Sequence, residues 1–138
     1  MKISTKGRYG LTIMMELARH FGEGPVSLKS IATSKNLSTH YLEQIATPLR
    51  NAELIKSIRG AYGGYVLTND PKEIYVGEVI RVLEGKITPV EGIENDEPAL
   101  QTLWIQIRDA VKNVLDETTL QQLIDDDSEE RNEYMFYI

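Results

Sequence analysis

A mainly α-helical fold carrying one small β-hairpin is what this sequence predicts, and three observations predict it. Apolar residues recur at helical spacing through most of the 138 residues. One glycine-rich stretch, Arg59-Gly60-Ala61-Tyr62-Gly63-Gly64-Tyr65, separates two short β-prone runs. A last long pattern, Leu100, Trp104, Ile107, Val111 and Val114, alternates spacings of four and three, as in the seam of a helix that pairs with another helix.

The first helix spans residues 5 to 21, with one stripe of Leu11, Met14, Met15 and Ala18 and a second of Tyr9, Ile13, Leu17 and Phe21. Apolar groups on so many sides predict burial against more than one neighbour. Gly22-Glu23-Gly24-Pro25 breaks it, and Ser27 is placed to cap a short second helix through Leu28, Ile31 and Ala32. Ser38 is the expected cap of a third helix ending near Arg50. Its inner face is Leu42, Ile45, Ala46 and Leu49, while His40, Glu43, Gln44 and Thr47 follow i, i+3, i+4, i+7 on the outer one. Between these two helices, small Ala32 and then Asn36, which tolerates a left-handed turn, give the layout of a helix-turn-helix.

Leu54 to Ile58 alternates apolar and polar residues, and Tyr65 to Thr68 is the second strand. The glycines between them permit a tight reversal. A phosphate-cradling loop would open a helix and carry Gly-Lys-Ser/Thr, which is missing here. Alone, the heptapeptide is equally compatible with an ordinary surface hairpin; after three helices it is the wing of a winged helix-turn-helix. Beyond Pro71, Val76 to Leu83 reads as a short helix, and residues 85–97 form a loop rich in Gly, Pro and acids. The long helix begins near Pro98. Thr118 with Gln121 suggests a capping box for a short last helix through Leu123. Asp125 to Glu130 is expected to be a solvated, mobile acidic linker, followed by an aromatic tail. The division expected is residues 1–84 as a winged helix-turn-helix DNA-binding domain, 85–97 as loop, 98–124 as dimerisation helix and short helix, and 125–138 as linker and tail.

Charge is unevenly distributed. Residues 1 to 65 hold Lys2, Lys6, Arg8, Arg19, Lys29, Lys35, Arg50, Lys56 and Arg59 against Glu16, Glu23, Glu43 and Glu53, a net of plus 5. Residues 66 to 138 carry minus 11, so the whole-chain minus 6 conceals a basic head. Zero cysteines exclude disulfides, thiolate metal sites and thiol redox switches. Neither His20 nor His40 has a nucleophile or metal-ligand spacing beside it, which argues against an enzyme. No run approaches a membrane span and the first residues lack a secretory pattern, so a cytoplasmic protein is expected.

On a winged helix each part has a physical task. The N-terminal half of the third helix would enter the major groove, where Gln44 can address adenine and Glu43 can accept from cytosine N4–H. Lys6, Arg8, Ser38, Thr39, His40, Tyr41 and Arg50 suit phosphate contacts that set register. Arg59 at the wing tip suits a narrow A-T minor groove. Thr47, Gly60 and Tyr65 complete the expected DNA-binding set.

Lys6-Gly7-Arg8-Tyr9, Tyr41-Leu42-Glu43-Gln44, Leu49-Arg50 and the Arg59 to Tyr65 run resemble the bacterial winged-helix regulators that include IscR and NsrR, from residue 1 to about 124. The resemblance implies homodimers on partly palindromic operators, with the long fifth helix forming much of the dimer. Cluster-binding members carry three cysteines in the loop before that helix; this chain has none between Gly85 and Leu103, so no iron-sulphur cofactor is expected. Gly10-Leu11-Thr12-Ile13-Met14, Leu103-Trp104-Ile105, Arg108-Asp109-Ala110-Val111 and the terminal Tyr134, Met135, Phe136, Tyr137 and Ile138 are similar to the cysteine-metabolism repressors within that family. Those work together with cysteine synthase, the O-acetylserine thiol-lyase. The resemblance therefore implies a repressor of sulphur and cysteine genes whose signal comes from that enzyme, with Tyr134 to Ile138 as the partner-binding tail. The alternative is a protein-interaction module that regulates a metabolic enzyme, with DNA binding secondary.

Overall fold

A computed structural model describes residues 2–137, with side chains through residue 132; Met1 and Ile138 lie outside the described residues. The order is α1 (Thr5–Arg19), α2 (Leu28–Lys35), α3 (Thr39–Asn51), β1 (Ile55–Ile58), β2 (Gly64–Leu67), α4 (Val76–Glu84), α5 (Pro98–Glu117) and α6 (Leu120–Tyr137). The winged helix-turn-helix expected from the sequence is therefore what the chain forms.

One core joins α1, α2 and α3 to the hairpin. Ile13, Met14, Leu42, Ala46, Leu49 and Ile74 are fully buried in it. Truncating one of the Ile, Leu or Met side chains among them to Ala costs about 2–5 kcal/mol. α1 ends at Arg19, earlier than expected, because Gly22 and Gly24 take positive φ and the Phe21 N–H turns back to the Ala18 carbonyl at 3.2 Å. Phe21, expected on a buried stripe, is consequently 46% exposed.

The turns are made as the side chains require. Ser27 Oγ accepts from the Ser30 N–H at 3.1 Å and Ser38 Oγ from the Tyr41 N–H at 3.3 Å, so both expected caps form. Asn36 is left-handed at φ 56°, and the Leu37 N–H returns to the Ala32 carbonyl at 2.8 Å, which closes α2 and aims α3. The same closure recurs after α3 without glycine: Glu53 sits at φ 62° while the Leu54 N–H bonds the Leu49 carbonyl at 3.0 Å. Pro48 lies inside α3 and cannot donate to the Gln44 carbonyl, which is left on the exposed face.

Ile55 pairs with Leu67, and Ile58 with Gly64, in the antiparallel hairpin. Val26 adds a third edge, exchanging backbone bonds of 3.0 and 2.8 Å with Tyr65. A Cβ at Gly64 would collide with the Val26 carbonyl, so glycine here is what lets the wing base lie against the segment entering α2.

Two expectations for the C-terminal part are corrected. Thr118 closes α5 through its hydroxyl on the Val114 carbonyl at 2.6 Å, and Thr119 is the residue that caps the next helix, accepting from the Gln122 N–H at 3.1 Å. That helix does not stop at Leu123, and Asp125 to Glu130 is not a linker: α6 runs to Tyr137. Leu120 is fully buried in the core, Gln121 reaches Asp125 at 2.9 Å, and Asp127 pairs with both Arg19 of α1 and Arg131, at 2.9 and 3.0 Å. One anchor and i,i+4 pairs thus carry a like-charge run as helix.

Candidate nucleic-acid interface

The outer face of α3 is exposed at His40, Glu43, Gln44 and Thr47, whereas Leu42, Ile45, Ala46 and Leu49 are buried beneath it. A hollow of about 430 Å³ opens between this face and the wing, bringing Thr39, Glu43 and Thr47 together with Tyr65, and Lys29 of α2 stands on its rim. Glu43 therefore faces the hollow with a cation nearby. Within α3, the Gln44 amide nitrogen lies 3.4 Å from His40 Nε2, and the Thr47 hydroxyl donates to the Glu43 carbonyl at 3.0 Å. All of these polar tips are exposed, as hydrogen bonding to base edges demands.

Not every expected contact residue has the same freedom. Tyr41 is half-buried and its ring meets that of Tyr9 edge-on, centroids 5.9 Å apart, so it braces α3 against α1. Tyr65 is likewise half-buried against the core and supplies the backbone pairing to Val26. Ser38 uses its oxygen as a cap and keeps its proton free to donate. Lys6, Arg8, Arg50, Arg59 and Gly60 are exposed, and Arg50 shares a second hollow with Lys56 and Ser57 on β1.

The wing tip turns at Gly60, φ 128°, and closes with the Gly63 N–H on the Gly60 carbonyl at 3.0 Å. Tyr62, three residues after Arg59, is 94% exposed, the highest fraction among the exposed large hydrophobic side chains of the described residues. Sequence reasoning missed it. The signal was there: an aromatic ring two residues after a glycine and directly before another cannot reach the core from a tight tip.

The N-terminus of α1 is held by α4. Glu84 Oε1 accepts from the Ser4 hydroxyl at 2.5 Å, the Ser4 N–H at 2.8 Å and the Gly7 N–H at 3.1 Å. The Ser4 hydroxyl above all, then these backbone donors and the Lys6 charge, hold the Glu84 carboxyl below its ordinary range against the opposing effect of burial. A Cβ at Gly7 would lie 2.5 Å from Glu84 Oε1, and one at Gly10 would collide with Leu83, so Gly7 and Gly10 form the groove in which α4 seats. That seating fixes where Lys6 and Arg8 project.

α5 presents a different surface. Leu100, Leu103, Ile107 and Val114 are 40, 43, 38 and 66% exposed, and they follow one another at spacings of three, four and seven along one face. Val111, expected on that seam, instead packs inward on Val76, Ile80 and Leu115. Trp104 is half-buried and donates from Nε1 to Asp96 at 2.8 Å. Leu103 was not among the expected seam residues, because on a helix it falls beside the Leu100–Ile107 row that the spacing of four and three had assigned to Trp104 and Val111. No helix among the described residues is long and apolar enough to cross a membrane.

Comparison with known proteins agrees with this geometry. The chain is 67% identical, over the full length of both, to the HTH-type transcriptional regulator CymR of Bacillus subtilis (strain 168). It superposes on the solved structure of CymR, described as the global cysteine regulator of B. subtilis, with a TM-score of 0.86 at 68% identity, covering 91% of this chain and 97% of that one. An HTH-type regulator IscR of Serratia proteamaculans is 36% identical over 130 residues, 90% of this chain and 79% of that protein. The Rrf2 family model, described as an iron-dependent transcriptional regulator, matches residues 3–126. The resemblance read from the Lys6 to Tyr9 and Tyr41 to Gln44 motifs is borne out: the chain belongs to the Rrf2 family of transcriptional regulators.

Proposed function

We propose that the chain is a homodimeric, sequence-specific repressor of sulphur and cysteine metabolism genes that takes its signal from cysteine synthase. The observation that carries the DNA reading is the hollow in which α3 and the wing converge, with exposed polar tips on one wall, Tyr65 on the other and Lys29 at the rim. Gln44 and Glu43 read bases, and Lys6, Arg8, Ser38, Thr39, His40 and Arg50 set register on phosphates. Arg59 enters the minor groove, and Tyr62 rides on the sugar edge beside it. The target genes follow from likeness to the B. subtilis global cysteine regulator.

Two copies meet through the α5 row Leu100, Leu103, Ile107 and Val114, since an apolar stripe of that length left in water favours a partner. Residues 1–84 are then the reading head and α5 sets the spacing of two heads. Cysteine synthase engages Tyr134 to Ile138, the aromatic tail entering its active site in competition with O-acetylserine. Because α6 carries the backbone to Tyr137 as helix, an extended bound tail requires unwinding of the last turn, which an otherwise polar and acidic helix resists weakly. Deleting residues 134–138 should abolish complex formation; undiminished affinity for the synthase would sink that part.

Gel shifts at two salt concentrations test the DNA reading. Affinity for operator DNA should fall steeply between about 50 and 200 mM salt, by about a hundredfold or more, as several phosphate contacts release counterions. Salt-insensitive binding would favour a protein-interaction module instead.

A further inference from the structure

Four of the six basic residues of the acidic half, Arg81, Lys86, Arg108 and Lys112, line a single cavity of about 450 Å³ between α4, the segment after it and α5. In a segment of net charge minus 11, chance would scatter these cations among acids on every side. The cavity floor is apolar, formed by Ile87, Val111 and Leu115. Gly85, at φ 78°, turns the chain out of α4 and so sets Lys86 and Ile87 across from α5.

The cations are not equally engaged. Arg81 pairs with Asp116 at 2.5 Å, and this guanidinium holds the Asp116 carboxyl below its ordinary range; Arg108 pairs with its neighbour Asp109 at 3.3 Å. Among the described residues, Lys86 and Lys112 make no ion pair within 4.0 Å. The Lys112 charge also helps to lower the Asp116 carboxyl, but it closes no ion pair, so two ammonium groups stand without a close carboxylate beside an apolar floor, in a volume that suits a small molecule. None of these residues belongs to the DNA-reading face or to the exposed α5 row.

We propose that this cavity is a binding site for a small amphipathic anion, an organic carboxylate whose apolar body lies on Ile87, Val111 and Leu115 while its charged end meets Lys86 and Lys112. Both halves of that chemistry are required by the lining: an uncharged apolar molecule leaves the ammonium groups unpaired, and a bare anion leaves the floor wet. The site lies one residue beyond Glu84, whose carboxylate holds the N-terminus of α1, so it is well placed to bear on the reading head.

Calorimetric titration of the full chain, without DNA, with octanoate, octan-1-ol and acetate tests the site apart from the proposed function. Octanoate should bind at least about tenfold more tightly than either octan-1-ol or acetate. In the Lys86→Gln/Lys112→Gln variant, octanoate affinity should fall about tenfold with octan-1-ol unchanged, while Lys35→Gln on α2 serves as the control and retains full octanoate affinity. Unfolding curves of both variants should match the parent. Equal binding of octanoate and octan-1-ol, undiminished octanoate binding by the double variant, or no octanoate heat at low millimolar concentration would each overturn the proposal.

Discussion

The outer faces of α3 and α5 are both left in water by the single chain, yet they are opposites. α3 shows His40, Glu43, Gln44 and Thr47, and α5 shows Leu100, Leu103, Ile107 and Val114. A polar exposed face loses little in water and gains specificity only when its donors and acceptors meet matched groups, as on base edges. An apolar exposed face gains wherever water is removed, with no need of a sequence to read. On the proposed function the two faces suit two kinds of partner, a duplex for α3 and a second copy of the chain for α5.

The largest effect should come from Ile107→Asp, which places a charge in the middle of the apolar row. Sedimentation should show monomers, and operator affinity should fall about a hundredfold or more, because two heads no longer bind as one unit. Next, Gln44→Ala should relax preference at one base position by about 1–3 kcal/mol, read by competition between operator variants. Arg59→Ala should instead weaken binding chiefly on A-T-rich minor-groove sites, with base preference under α3 retained. Equal losses on random DNA would remove both roles.

A smaller effect concerns how the head is held. Glu84 has a carboxyl that ionises more readily folded than unfolded, so its contribution to stability is present above the unfolded value of about 4.3 and is lost as pH falls through the lower folded value. Glu84→Gln should therefore lower the melting temperature at pH 6 to 7, and the gap to the parent should close progressively as pH falls below the ordinary carboxylate value and through the lower folded one. The smallest change is a gain: Glu53→Gly relieves the left-handed residue after α3 and should stabilise by about 1 kcal/mol in denaturant unfolding.

How legible all this was in the sequence depended on the range of the physics. Ser27, Ser38 and Asn36 act on groups within a few residues, so caps and turn could be read directly, and the glycines of the wing likewise. Long-range contacts were not readable. The acidic run was expected to be mobile because like charges repel, but the pairing of Asp127 with Arg19, 108 residues away, has no local signature. Val111, expected on the seam, is half-buried against Val76, Ile80 and Leu115; spacing alone does not separate the side of α5 that faces this cluster from the side that faces water. At the wing tip the glycines that flank Tyr62 point to an exposed ring, against the general tendency of aromatic residues to be buried. The Glu84 clamp on Ser4 and Gly7 joins residues 80 and 77 apart and had no signal at all.

The central claim is that α3 and the wing read DNA while α5 holds two such readers together. Selection of bound sequences from a random duplex pool, followed by footprinting of the enriched site, tests it most directly. Two related half-sites about one helical turn apart, each protected and occupied by one copy of the chain, are the predicted result. A single asymmetric half-site bound by one copy, or no enrichment over the starting pool, would contradict it.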